Sequence, residues 1–228
     1  MSSFETIDKK RRHVRKYKLD VYPPKEIIEK VLWKAWKTTP SKNNFMPYNV
    51  FVLGPEQEEM KTRIWNKSLQ NHQRAENDAK ELGLIEKPQN MANPYYEHVK
   101  YNPYLLVFTC RVCPKPNEYY RKQILRGHFA DQMYPEFVNR IYDTTCVEVG
   151  LFTAHLSLYC VEENIDVSYT SCFPRDVQKW TDVPFVKYRP CLLMSMGYAQ
   201  RYREQDLKDA GILHEDIKPE SNEVIQWI

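Results

Sequence analysis

The segment at residues 145–163 most constrains the fold, because a helix there would be apolar on nearly every side. One face would carry Val149, Phe152, Leu156 and Cys160, and the opposite face Leu151, Ala154 and Leu158. Thr145 and Glu148 have the spacing of a capping box, which predicts that the helix starts at Thr145. A helix that is apolar on both faces is stable only where both are covered, so we expect it at the centre of a domain or of a dimer.

Short apolar segments predict the strands of a sheet. Residues 104–110 are apolar at consecutive positions, as in a central strand with both faces covered. Further strands are expected at 49–53, 167–169 and 190–196, and helices at 56–86, at 118–140, at 174–180 and between Pro24 and Pro40. The apolar stripe of the helix between the two prolines would consist of Ile27, Ile28, Val31, Leu32, Ala35 and Trp36. We predict an α+β (mixed α/β) fold with one domain over 1–228, a core at 11–203, and a C-terminal helix and extended tail at 204–228.

Composition excludes several classes of protein. Of the 228 residues, 42% are hydrophobic and 28% charged, as in ordinary globular domains, so extensive disorder is not expected. With only 6 glycines the chain has neither a dinucleotide-binding fingerprint nor a Walker loop, so side chains would have to hold any nucleotide-like ligand. No apolar run approaches a membrane span, and the start lacks a signal peptide. We expect a cytoplasmic protein with no membrane partner.

A basic segment at residues 9–18 contains seven Lys or Arg residues in a chain whose net charge is only +3. Such a cluster could bind a phosphate, an acidic membrane or a nucleic acid, or be a solvated patch. The guanidinium forks of Arg11, Arg12 and Arg15 suit a phosphate. His13 stands among them.

A second polar run, from Pro40 to Tyr48, follows the predicted helix. Its hydroxyl and amide groups, on Ser41, Asn43 and Asn44, could hydrogen-bond the edge of a heteroaromatic ring. The alternative interpretation is an ordinary turn at the end of a helix, where proline and asparagine are common.

Cysteine spacing gives no metal site. Cys110 and Cys113 form a CxxC pair, but no second pair of ligands at comparable spacing accompanies it, and the pair ends a strand instead of starting a helix. The chain is long enough to fold without disulfides, so we expect reduced thiols.

The order of these features resembles the FMN-dependent nitroreductase superfamily over residues 11–203. Members typically begin with Arg-Arg-Ser-x-Arg-x-Phe, and here Arg11-Arg12-His13-Val14-Arg15-Lys16-Tyr17 occupies that place. The family motif Pro-Ser-x-x-Asn-x-x-Pro-Trp is matched by Pro40-Ser41-Lys42-Asn43-Asn44-Phe45-Met46-Pro47-Tyr48. A long apolar helix, a short turn and a strand ending in Gly197-Tyr198 follow in the expected order.

The resemblance implies a mostly antiparallel central sheet flanked by helices, with a C-terminal extension swapped onto a partner subunit. It also implies a homodimer with two FMN molecules at the subunit interface. Arg11 to Arg15 would hold one FMN, and Pro40 to Asn44 would contact the FMN of the opposite subunit.

The cofactor-binding residues follow from the same resemblance. Arg11, with Arg201 or Arg203, would bind the phosphate, Arg12 and His13 would lie along the ribityl chain, and Arg15 would face the pyrimidine edge. Pro40, Ser41, Lys42 and Asn44 would come from the other subunit. Asn77 and Lys80 match a family spacing, and the turn at Ser171 and Cys172 would direct a backbone N–H at flavin N5. No catalytic side chain is implied, because FMN carries the chemistry.

The implied function is an FMN-dependent oxidoreductase that passes electrons from NAD(P)H through flavin N5 to a nitroaromatic, a quinone or a similar acceptor by a ping-pong mechanism. Three positions differ from the usual family residues and leave the identity of the substrate open. His13 replaces a small hydroxyl residue, Ser171-Cys172 replaces a Glu-Gly pair, and Tyr48 replaces a tryptophan. A reductive dehalogenase or a flavin-consuming enzyme of the same fold is the first alternative. A flavin-binding protein without turnover or a nucleic-acid-binding protein is the second. The loop at 88–103 is either a substrate lid or packed by its tyrosines.

Overall fold

The computed structural model describes residues 11, 13, 14, 16–41, 44–83, 99–111, 142–200, 224 and 225. Within these ranges the chain forms helices α1, α2 and α3 and strands β1 to β4. In chain order they are α1 (Lys25–Thr38), β1 (Tyr48–Leu53), α2 (Glu58–Glu81), β2 (Tyr104–Cys110), α3 (Tyr142–Glu162), β3 (Asp166–Thr170), a 3-10 helix (Val177–Trp180) and β4 (Pro190–Gly197). The predictions for the helix at 118–140, most of the loop at 88–103 and nearly all of the C-terminal tail lie outside the described residues.

The four strands form one sheet in the order β1-β2-β4-β3, with every neighbouring pair antiparallel. This confirms the predicted antiparallel sheet. All seven residues of β2 are buried, as expected for a strand with neighbours on both sides. Strands β1 and β3 lie at the two edges of this sheet.

The sheet separates two hydrophobic cores. Because side chains alternate along a strand, Leu106 and Phe108 of β2 pack with α1 and α3, whereas Leu105 and Val107 pack on the other face with α2. Trp180 of the 3-10 helix is fully buried in the second core. The described chain is therefore a three-layer arrangement of helices, sheet and helix.

Helix α1 begins after Pro24 and buries Ile28, Val31 and Ala35, which share one face. It ends at Thr38 because Thr39, the residue before Pro40, adopts an extended conformation. The sequence also placed Trp36 on the apolar stripe, but its side chain is 55% exposed.

Helix α3 is confirmed, but its predicted start is wrong. It begins at Tyr142, so Thr145 lies inside the helix and is fully buried. Glu148 is buried too and accepts a hydrogen bond from Ser41 Oγ at 2.6 Å. The capping-box spacing is also the spacing of two neighbours on one helix face, and here the second meaning applies.

Among the described residues, α3 is the one helix that could cross a membrane, judged by length and composition. The core helices of soluble proteins satisfy the same criterion. Eight of its side chains are buried, and the helix packs against α1 and three strands of the sheet. On its other side Val147 is 64% and Leu151 42% exposed.

Tyr17 leads to a prediction about stability at alkaline pH. Burial raises the pKa of Tyr17 far above its ordinary range. Above pH ~10 the unfolded chain therefore releases this proton while the folded chain keeps it, so unfolding becomes easier by about 1.4 kcal/mol for each further pH unit. We expect Tyr17→Phe to remove this contribution, so that the free energy of unfolding falls less steeply between pH 10 and 11.

Urea denaturation at pH 8, 10 and 11 measures this slope. Tyr17→Phe should also cost about 1–2 kcal/mol at pH 8, because the hydroxyl loses its hydrogen bonds with Ser168 Oγ and with the Ser195 carbonyl oxygen. Tyr22→Phe is the matched control, since it also removes one tyrosine hydroxyl but from a side chain that is 48% exposed. An unaltered slope in Tyr17→Phe would contradict the prediction.

Candidate functional site

The basic segment is fastened to the ends of two strands. The N–H of Val14 donates to the carbonyl oxygen of Val167 in β3 at 3.0 Å, and the N–H of Lys18 to that of Tyr198, just after β4, at 2.9 Å. Tyr17 is 2% exposed, and its hydroxyl lies 3.0 Å from Ser168 Oγ and donates to the Ser195 carbonyl oxygen at 3.2 Å. One buried side chain thus anchors a segment whose Arg11 and His13 are exposed.

Arg11 and His13 lie beside Tyr169 of β3. The ring centres of His13 and Tyr169 are 6.3 Å apart. Burial raises the pKa of Tyr169, whereas its hydrogen bond with Ser157 and the nearby Arg11 cation lower it. Exposed cationic and polar groups therefore stand next to a partly buried phenol, just before the turn that follows β3.

The second polar run is held in place by Ser41 and Arg111. Ser41 Oγ donates to Glu148 of α3 and accepts from the N–H of Met46 at 2.8 Å. The Arg111 guanidinium donates to the carbonyl oxygens of Phe45 and Met46, the latter at 2.9 Å. The loop is therefore tied both to a core helix and to the end of the central strand.

Two residues of this loop have left-handed backbone conformations, Asn44 with φ 54° and Met46 with φ 46°. Asparagine tolerates this region, but a residue such as methionine enters it at a cost of about 1–2 kcal/mol. Such strain persists only where surrounding contacts hold the backbone, and it is frequent at ligand sites. The contacts of Ser41 and Arg111 supply that support.

A cavity of about 450 Å³ opens beside this loop, lined by Asn44, Phe45, Tyr48, Arg111 and Phe152 among others. Tyr48 is 6% exposed, and its hydroxyl has no hydrogen-bond partner among the described residues. Burial, and to a lesser extent the Glu148 carboxylate, raises the pKa of Tyr48. A buried hydroxyl left without a partner costs about 1–3 kcal/mol, so a polar ligand atom placed against it would be stabilising.

The described residues of the two polar runs are attached to different parts of α3. The first contacts Tyr169, whose hydroxyl bonds Ser157 of α3, whereas the second reaches Glu148 on the same helix. These two positions on α3 are roughly 13 Å apart along the helix axis. The surroundings of Arg11 and those of Ser41 are therefore attached at different positions along α3.

The turn after β3 contains Ser171, which is exposed, and Cys172, which is partly buried. Arg175 fixes the turn, because its guanidinium donates to the Ser171 carbonyl oxygen at 3.3 Å and also to that of Cys191. The same guanidinium lies 4.3 Å from the centre of the Phe173 ring. Cys172 Sγ is 3.5 Å from His72 Nδ1 on α2.

The remaining predicted positions are distributed as follows. Pro40 is exposed at the start of the second run, and Asn77 and Lys80 are exposed on the last turns of α2, the helix that carries His72. Arg12, Arg15, Lys42, Arg201 and Arg203 lie outside the described residues.

Cys110 is fully buried, and its Sγ lies 3.8 Å from the Sγ of Cys191 on the neighbouring strand. Cys113, its partner in the CxxC pair, is outside the described residues. The part of the chain that the structure describes brings together no group of three His, Cys, Asp or Glu side chains able to hold a metal ion.

Sequence reasoning missed Arg111 and the contact of His72 with Cys172. His72 and Glu76 are four residues apart in a predicted helix, so their pairing could have been expected. Nothing in the sequence links either of them to a cysteine about a hundred residues further along the chain.

Comparison with known proteins places the chain in one family. The Nitroreductase family matches residues 9–198. No curated protein matches the sequence.

Solved structures share the fold at low identity. A candidate nitroreductase in complex with FMN from Exiguobacterium sibiricum has a TM-score of 0.64 at 17% identity, covering 100% of this chain and 98% of its own. A candidate NAD(P)H:FMN oxidoreductase from Staphylococcus epidermidis has a TM-score of 0.63 at 14% identity, and the match covers 100% of this chain and 97% of that one. A nitroreductase with bound FMN from Desulfitobacterium hafniense has a TM-score of 0.56 at 13% identity, and the match covers 89% of this chain and 92% of that one.

Proposed function

The chain belongs to the nitroreductase family, and we propose on that basis that it is an FMN-dependent oxidoreductase using NAD(P)H to reduce an electron-poor small molecule. Nitroaromatics and quinones are the acceptor classes we propose. The observation that carries the proposal is the placement of the basic segment, whose exposed Arg11 and His13 stand beside Tyr169 and the turn after β3. Two solved structures of the same fold contain FMN.

The described residues fit FMN in two respects. A phosphate requires cationic or hydrogen-bonding donors, and the exposed Arg11 and His13 side chains provide them. A heteroaromatic ring with polar edge atoms requires donors inside a partly apolar cavity, and the Tyr48 hydroxyl lines such a cavity without a partner among the described residues.

Arg11 and His13 would bind the phosphate and the ribityl chain, and Ser171 and Cys172 would lie at the ring. Arg175 would hold the backbone of this turn in place through its hydrogen bond to the Ser171 carbonyl oxygen. FMN, when bound, supplies the two-electron chemistry between NAD(P)H and the acceptor. The chain's own contribution is to bind the cofactor, orient it and limit access of water.

We propose further that Pro40, Ser41 and Asn44 serve the FMN of a partner subunit in a homodimer. The attachment of the two polar runs at different places on α3 supports this arrangement, because each run could then serve a separate FMN. The half-exposed apolar side chains of α3 and α1, among them Val147, Leu151, Trp33 and Trp36, give such a dimer an apolar surface to bury.

The test uses purified full-length protein mixed with FMN and freed of excess by gel filtration. We expect retained flavin absorbance that NADH or NADPH bleaches under anaerobic conditions and that nitrobenzene or benzoquinone restores. Protein that retains no flavin would contradict the proposal. Retained flavin that neither nicotinamide bleaches would identify a flavin-binding protein without turnover.

A further inference from the structure

Three side chains on two elements form a connected hydrogen-bonded line. Cys172 Sγ lies 3.5 Å from Nδ1 of His72, and Nε2 of His72 lies 2.9 Å from Oε1 of Glu76. The His72 side chain is 22% exposed and that of Glu76 12%. The line is therefore shielded from bulk water but reachable by a small molecule.

The Glu76 carboxylate decides which nitrogen of His72 carries the proton. A carboxylate accepts hydrogen bonds, so Nε2 is the protonated nitrogen and Nδ1 is left as an acceptor toward the Cys172 thiol. A nucleophile, a base and a group that orients the base then follow one another, an arrangement that activates nucleophiles in many enzymes.

The surroundings of the sulfur support this arrangement. Nδ2 of Asn71 lies 3.9 Å from Cys172 Sγ and donates toward it. His72, Glu76 and Asn71 all belong to α2, so their relative positions are fixed by one helix, while Arg175 fixes the turn that carries the cysteine. A negative charge forming on sulfur would therefore have the Asn71 amide as a donor in place before it formed, and His72 Nδ1 would become a second donor once it had taken up the thiol proton.

We propose that Cys172 is a nucleophilic thiol that takes up α,β-unsaturated carbonyl compounds covalently. His72 acts as its base, and Glu76 is a positioning residue. The site rests on contacts within the chain and extends beyond the proposed flavin chemistry.

The reaction is an addition in which nothing leaves and no external oxidant or reductant is consumed. The thiol proton passes to His72 Nδ1, and the sulfur forms a bond to the β-carbon of the acceptor. The carbon–carbon π pair moves toward the carbonyl, giving an enolate. The proton held by His72 then reaches the α-carbon, which leaves a neutral thioether and a neutral imidazole.

The other described cysteines differ from Cys172. Cys110, Cys160 and Cys191 are buried. Burial raises the pKa of Cys160, and the hydrogen bond with Cys110, together with burial, raises the pKa of Cys191. Cys146 is partly buried like Cys172, but it lies on α3, and its neighbours are Tyr142 and Cys191. Cys146 is therefore an internal control that is partly buried as well and has no histidine base among the described residues.

The experiment measures addition of N-ethylmaleimide to the full-length protein at neutral pH, with peptide mass spectrometry giving the rate at each cysteine. We expect Cys172 to react at least tenfold faster than Cys146. His72→Gln should slow Cys172 by about a hundredfold, within the range of a lost general base, and leave Cys146 unchanged. Glu76→Gln should slow it by a smaller factor, and Glu76→Asp should restore part of the rate.

Equal rates at Cys172 and Cys146 in the unaltered protein would overturn the proposal, and this comparison needs no variant that might misfold. An unchanged rate in a His72→Gln variant with the same melting temperature would also overturn it. The measurement is made with and without FMN. Failure of the flavin proposal would appear as missing flavin absorbance and would leave the rate ratio in the FMN-free sample unaffected.

Discussion

Arg11→Ala is expected to weaken FMN binding by about ten- to a hundredfold. The guanidinium is exposed on a segment that Val14, Tyr17 and Lys18 hold in place, so its removal deletes a charge-assisted donor without loosening the backbone. A hydrogen bond to a charged group contributes about 1.5–3 kcal/mol, which converts to this change in affinity. Titration of protein into FMN, followed by the change in flavin fluorescence, measures the dissociation constant.

Two variants of the same segment separate specific binding from general charge. Arg11→Lys keeps the positive charge but loses the planar fork, so we expect an intermediate affinity. Lys18→Ala removes one exposed charge further along and should bind FMN within about twofold of the unaltered protein. Equal losses in Arg11→Ala and Lys18→Ala would show that only net charge matters and would contradict the assigned role of Arg11.

Gly197→Ala is expected to destabilise the fold by about 1–3 kcal/mol or to prevent folding. A Cβ atom at this position would lie 2.7 Å from Cδ and 2.8 Å from Cγ of Pro103, and 2.9 Å from Cδ1 of Tyr17. None of these atoms belongs to the end of a flexible chain, so the backbone must move. Because Tyr17 anchors the basic segment, we also expect weaker FMN binding in the variant.

Gly150→Ala is the matched control. Gly150 is exposed on α3, and a Cβ atom there would meet nothing within 4 Å. Replacing glycine by alanine inside a helix stabilises by about 0.5–1 kcal/mol, so the two substitutions should move stability in opposite directions. Urea denaturation followed by circular dichroism compares them. A Gly197→Ala variant as stable as Gly150→Ala would contradict the close packing seen at the end of β4.

Periodicity predicted most of the described fold, because buried faces repeat at intervals that the sequence displays. The apolar rhythm of Ile28, Val31 and Ala35 predicted α1, and the continuous apolar run of β2 predicted a central strand. The same periodicity predicted that Trp36 faces inward, and this was wrong, since a sequence pattern does not say how wide the buried face of a helix is. Thr145 and Glu148 failed as a cap because their spacing serves equally for two buried neighbours.

The candidate site was less predictable, because it depends on contacts between distant parts of the chain. The motif around Arg11 and the motif around Ser41 were visible in the sequence. The attachment of these two motifs to different stretches of α3 was not visible in the sequence, since it follows from packing. The contact between Cys172 and His72 likewise needs α2 to pass the turn after β3, and no local pattern carries that information.

The position of the basic segment against β3 also bears on aggregation. β3 is an edge of the described sheet, and an edge strand offers backbone groups with which another chain can pair. The N–H of Val14 already occupies the carbonyl of Val167, and Arg11 and His13 bring polar, cationic groups to that edge. Two such edges repel each other. The residues expected to bind an anion thus also prevent the addition of a further strand at this edge of the sheet. Variants that neutralise these residues should therefore self-associate more than their stability alone would predict.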